Sequence, residues 1–435
     1  MRESELTHCA LGDVADTNPE TLPGNTPPSA RFRYIDISAV EAGLINWGAV
    51  TETTFRSAPS RARRTVKALD VLFGTVRPNL KSHGFIGLDE SSPLVASTGF
   101  CVVRARDGVS HPSYLFHSLM SSRVTAQAVR DAIGSSYPAL NDSDVKRFQI
   151  FLPPYREQQK VAQVLDTLDA AIHETEAIIA KLKAVKQGLL HDLLTRGIDA
   201  NGELRPPQAE APHLYKESPL GWIPKAWDIA PLDAVSTTVT SGSRDWARFY
   251  ADSGALFVRI GNLTREHINF RFDSTMYVRP PRNADGQRTR LELGDILISI
   301  TADLGIVGVV PDGMGEAYIN QHIALVRPSP TAVSPRFVGH YLASPVAQAY
   351  ISKLNDAGAK AGLNLPTVRG LITARPARTE QNLIAERLDE IDNRIQNAAT
   401  ESAKLRELKA GLMDDLLTGR VRATPLLAAE QQGGA

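Results

Sequence analysis

The chain has 435 residues, 43% apolar and 22% charged, with 48 basic and 48 acidic side chains. That composition supports two to four ordinary globular domains. Two cysteines, Cys9 and Cys101, exclude a disulfide framework and fit a reducing, cytoplasmic setting, and no apolar run is long enough to span a bilayer.

The zero net charge hides segregation. From Phe55 to His83 stand Arg56, Arg61, Arg63, Arg64, Lys67, Arg77 and Lys81 against Asp70 alone. From Arg244 to Arg290 there are nine Arg against five acids, whereas Glu380 to Asp415 holds nine acids against five basic residues. Two basic stretches on a neutral chain are compatible with binding a polyanion.

In chain order, residues 1–152 show short alternating strand patterns ("RFRYIDIS", "DVLFGTV", "GFCVVRA") between Gly, Pro and Asn turns, then a helical pattern, "SYLFHSLMSSRVTAQAVR". A second element, residues 153–197, opens on "LPPY". Those letters are one change from the Asn-Pro-Pro-Tyr pocket of adenine-N6 DNA methyltransferases, but Leu152 has no acceptor for a base amine. Prolines suit a helix start, where an N–H would be orphaned anyway. Beyond them runs a heptad pattern carrying Leu165, Leu168, Ile172, Ile179, Leu182 and Leu189, the signature of a coiled-coil seam.

Residues 198–217 form a Pro-rich linker. Residues 218–375 begin with "LGWIPKAW", where Trp222 and Trp227 fit core or docking positions. Strand patterns come next in "LFVRIGNL", in "DILISITADLGIVGVV" as one apolar run, and in "HIALVRP". The nearest candidate for a Gly-rich turn that holds a methyl-donor cofactor is "DLGIVG" from Asp303, inside that run. Residues 376–420 repeat the heptads with Leu388, Ile391, Ile395, Leu405, Leu412 and Leu416, and 421–435 is a tail.

Sliding the chain on itself by 223 positions aligns the two heptad regions without a gap, with 17 identities over 39 positions. The same offset reaches upstream, placing Pro112 on Pro335, His117 on His340 and Leu140-Asn141 on Leu363-Asn364. The chain is therefore expected to be two copies of one unit. The expected fold class is α+β: two globular domains with irregular sheets, separated by two long antiparallel coiled-coil helices with a pseudo-two-fold relation. Each helix should be roughly 60 Å long. Lys186 and Lys409 interrupt the seam at equivalent positions, as register-setting polar residues do.

"PPYREQQKVAQVLDTLD", "EQNLIAERLDEID", "LGWIPKAW" and "YINQHIALVRP", on a half-chain repeat, resemble the specificity subunit of type I restriction-modification systems. The resemblance implies a non-catalytic chain whose two domains each read half of a split double-stranded DNA site. The helices would act as ruler and as docking surface for two methyltransferase (modification) subunits, with ATP-driven restriction/translocase subunits joining them and no membrane involved. It implies no cofactor in this chain; S-adenosylmethionine, ATP and Mg would serve the partners. DNA contacts are expected from Arg61, Arg63, Arg64, Arg77 and Lys81 in the first domain. Arg244, Arg248, Asn262, Arg265 and Gln321 are expected to supply them in the second. Alternative readings are a free-standing adenine-N6 methyltransferase and a coiled-coil scaffold without DNA function.

Overall fold

The computed structural model describes residues 8–87, 93–280, 284–356 and 362–433. The chain divides into two units, Met1–Glu176 with Thr400–Ala435, and Ala177–Ala399.

The first unit holds two four-stranded sheets. One orders its strands Thr51–Thr54, Arg31–Ile35, Leu94–Ser97, Ala62–Val66, with the middle two parallel. The other runs Ala15–Thr17, Phe100–Ala105, Val71–Gly74, Gly84–Phe85, antiparallel throughout. The apolar letters "VLF" and "FCVV" serve two cores at once. Val71, Phe73, Cys101 and Val103 face one cluster, Leu72, Phe100 and Val102 another. Side chains alternate faces along a strand, so a strand buried on both sides reads as an unbroken apolar run. Burial pushes the Cys101 thiol up to about 12, which makes it inert.

Asp70, the single acid of the first basic stretch, is fully buried and takes a bidentate pair from Arg104 at 2.7 Å. Asn141 caps the short helix Asp142–Lys146, with Asp144 reaching back to the cap N–H. Asn141→Ala is expected to lower stability by about 1 kcal/mol, read as a shifted denaturant midpoint.

The second unit repeats this plan. One sheet orders Ser236–Ser241, Ile323–Pro328, Ile296–Ser299, Val307–Val309; the other Tyr250–Ala251, Tyr277–Val278, Ala255–Val258, Ala317–Ile319, again with one parallel pair. Asp295 and Arg327 form the counterpart of the Asp70–Arg104 pair, at 2.8 Å. The run "DILISITADLGIVGVV" is two antiparallel strands rather than one. Ala302 and Gly305 take left-handed backbone in the turn between them. "DLGIVG" thus enters a strand instead of opening a helix. Trp227 is fully buried, edge-on to Phe337, whereas Trp222 is 46% exposed and does not belong to a core.

The long helices span Tyr155–Thr195 and Arg378–Leu416. Both prolines of "LPPY" lie just outside the first, where the Pro154 carbonyl accepts the Glu157 and Gln158 N–H groups. Leu152 is half-buried against the first unit's core. Within the first unit, Leu165 and Val161 share a cluster with Leu416 and Leu417, Leu412 packs against it, and Lys409 pairs with Asp169. Within the second, Leu190 and Leu193 share a cluster with Ile384 and Leu388, Leu189 packs against it, and Lys186 lies 2.5 Å from Asp392. In each unit the partner numbers fall on one helix as they rise on the other, so the segments run antiparallel there. Ile172, Ile391 and Ile395 are buried, and Leu168, Ile179, Leu182 and Leu405 half-buried.

Neither the expected linker nor the expected tail is a loose connection. After Thr195 the chain turns at Gly197, whose φ is +67°, and an added Cβ would strike Trp227, Glu380 and Arg205. Arg205 then pairs with Glu380, which also accepts the Ile198 N–H and Trp227 Nε1. Tyr215–Ser218 pairs with Gly221–Pro224. After the second helix, Arg422 and the Ala423 N–H both reach Glu157, and a helix covers Thr424–Gly433. In both places the chain leaving one long helix neutralises a glutamate in the first turn of the other.

Candidate nucleic-acid interface

The basic stretches divide once their partners are known. In the first unit Arg64 points inward to Asp142 at 3.1 Å and Lys81 donates to the Met120 carbonyl at 2.9 Å. Burial lowers the Lys81 pKa, with Lys409 adding to the effect. Both are built into the protein. Arg61 is exposed and pairs with Asp36 at 3.0 Å. Arg63 lies over the Phe55 ring, 5.2 Å from its centre. Arg77 is exposed and sits 4.3 Å over the exposed Tyr137.

Arg77 and Lys81 both adopt left-handed backbone around the turn Pro78–Leu80. Such strain in a non-glycine residue persists only where its surroundings enforce it. Here a Cβ on Gly74 would lie 2.4 Å from the Ser82 carbonyl, and buried His83 accepts the Gly74 N–H at 3.0 Å. Burial pushes the His83 imidazole down to about 3, so it stays neutral and can accept.

In the second unit Asn262 is buried, accepting the Arg259 N–H and donating to the Arg271 and Ser274 carbonyls. It has no donor left for a base. Arg265 is committed to Asp303, the Leu304 carbonyl and Gln348. Gln321 is half-buried and bonded to His322 at 3.0 Å. Arg244 and Arg248 are exposed and, among the described residues, have no acidic partner. They sit on the segment between Ser241 and Tyr250, which is held at its start. Gly242 packs so tightly that a Cβ would lie 2.0 Å from the Asn320 carbonyl, and Arg288 bonds Thr240, Ser243 and the Ser241 carbonyl. Within the segment, buried Trp246 stacks on Phe257 at 5.3 Å.

The sequence reasoning missed two groups. Arg33 lies 5.1 Å over Trp47, and exposed Arg31 pairs with Glu52 at 2.9 Å. Arg279 is exposed, its N–H on the Phe249 carbonyl. The available signal was aromatic residues close to Arg in "RFRY" and "YVRP". What remains on each unit is a set of exposed guanidinium groups, several of them beside aromatic rings, chemistry suited to base edges and phosphates.

A protein made of two similar α+β units, each bearing such a surface and a segment of paired long helices, belongs to the class of modular DNA readers. The chain belongs to the family described as type I restriction modification DNA specificity domain, whose model matches residues 67–184 and 284–407, more than half of its length. Its function is DNA sequence specificity in a type I restriction-modification system. A putative type I restriction enzyme MjaX specificity subunit of Methanocaldococcus jannaschii is 25% identical over 81% of this chain and 78% of its own. The EcoBI specificity subunit of Escherichia coli is 20% identical over 77% and 70%. The crystal structure of the S subunit of a type I system from M. genitalium has the same fold, with TM-score 0.60 at 14% identity over 96% of this chain and 98% of that one. No helix among the described residues is long and apolar enough to cross a membrane.

Proposed function

We propose that each unit reads one half of a split double-stranded DNA site, and that the two long helices set the gap and dock two methyltransferase subunits. The observation that carries this is duplication with divergence. The two units share the strand order of one sheet and three strands of the other, a buried Asp–Arg pair and an Arg–Glu junction at the start of each long helix, yet differ in the side chains they expose. The chain itself performs no chemistry. S-adenosylmethionine, ATP and Mg belong to the partner subunits, including the restriction/translocase subunits.

Replacing residues 1–152 by those of a relative should change one half of the methylated motif in the host genome and leave the other half and the gap intact. A change in both halves would defeat the proposal. Arg248→Ala is expected to weaken specific binding by about 1–3 kcal/mol and relax one base position if it reads a base. If it holds a phosphate, the salt slope should fall by about one instead. Titrations at two salt concentrations distinguish these.

A further inference from the structure

Each unit fastens its recognition domain to a long helix through a recurring His–Asp pair and a glutamine, with one further donor to the carboxylate that differs between the units. In the first, Ser113 Oγ and His117 Nε2, on the helix Pro112–Met120, both reach Asp166 Oδ1, at 2.6 and 2.7 Å. In the second, Arg336 and His340, on the helix Pro335–Ala343, both reach Asp389, His340 at 2.6 Å. A glutamine two turns earlier on each long helix completes the junction. Gln158 accepts the His111 N–H and donates to the Pro153 carbonyl; Gln381 accepts the Ser334 N–H and donates to the Pro376 carbonyl. Every one of these residues has its counterpart 223 positions away.

The exposed surfaces above these junctions have diverged, so what is common to both cannot concern which bases are read. Nor is adhesion the need, since apolar contact supplies that without direction. Hydrogen bonds to a carboxylate are directional, and a buried imidazole between two elements fixes the angle at which they meet. A change of one base pair in the gap moves a half-site by about 3.4 Å and turns it by about 35° around the duplex. A reader held at a fixed angle rejects such a change, and a loosely held one follows it.

From this geometry, and resting on the proposed bipartite reading, we infer that His117–Asp166 and His340–Asp389 are positioning latches. They make the protein selective for gap length while leaving half-site recognition untouched.

The test uses the complete complex with its modification subunits. It methylates a DNA pool in which both half-sites are fixed and the gap varies by up to two base pairs either way. The wild type is expected to disfavour each wrong gap by at least about tenfold. Asp389→Ala and Asp166→Ala should bring gaps one base pair off to within a few-fold of the correct one, with unchanged half-sites. Asp389→Asn, which can still accept from His340, should restore discrimination. Ser113→Ala, which removes one of two donors and leaves His117 in place, should relax it partly and guards against misfolding of the stronger variants. Unchanged gap preference in variants that still methylate the correct gap would overturn the inference, as would altered half-sites. A wild type indifferent to gap length would instead bring down the bipartite reading itself, and this inference with it.

Discussion

Arg422→Ala is expected to lower the stability of the first unit by roughly 3–5 kcal/mol, because it leaves a buried carboxylate without its cation. Glu157 is 2% exposed and takes Arg422 Nε at 2.9 Å and the Ala423 N–H at 2.8 Å. Burial alone would raise its pKa, but Arg422 and the N–H together hold it below the ordinary glutamate value of 4.5. A carboxylate depressed in the folded state stabilises above its unfolded pKa and ceases to do so as pH falls through the lower folded value. The gap between wild type and variant should therefore be widest near neutrality and narrow below pH 4.5. Denaturant unfolding at several pH values measures it. Adding Glu157→Gln to the variant should recover part of the loss, since the buried charge goes with it.

Lys186→Ala is expected to destabilise the second unit by a similar roughly 3–5 kcal/mol, again measured by denaturant unfolding. Asp392 is 1% exposed, and among the described residues Lys186 is its one ion-pair partner; even that contact is close in charge but poorly directed as a hydrogen bond. Lys186 also bonds the Glu266 carbonyl, so its loss frees two acceptors. Its counterpart Lys409 pairs with Asp169 at a more exposed position. That pair is only half-buried, so Lys409→Ala should cost less than Lys186→Ala. Replacing Lys186 and Asp392 together by Met and Leu should cost little or even stabilise. If it does, while gap selectivity suffers, the pair serves register rather than strength.

The long helices are legible in the sequence because a heptad pattern is local: Leu165 and Ile172 declare their face by their spacing alone. The duplication is legible because it needs only self-comparison. Which arginines are free is not. Arg64 and Arg77 look alike in a basic stretch, and only the fold brings Asp142, 78 positions away, onto the first. Asn262 resembles an adenine reader because its amide suits that role, but the same amide suits the turn that consumes it. The run after Asp295 reads as one strand because apolar letters continue through both, while the turn between them is made by Ala302 in a conformation its side chain does not advertise.

The first unit is assembled from two stretches of chain, Met1–Glu176 and Thr400–Ala435, with the whole of the second unit between them. On the ribosome, Glu157 emerges long before Arg422 is made and must wait for it. A message cut short before that arginine would yield a leading half lacking its last buttress, left to proteolysis. A sound first unit thus presupposes that the second has already been translated.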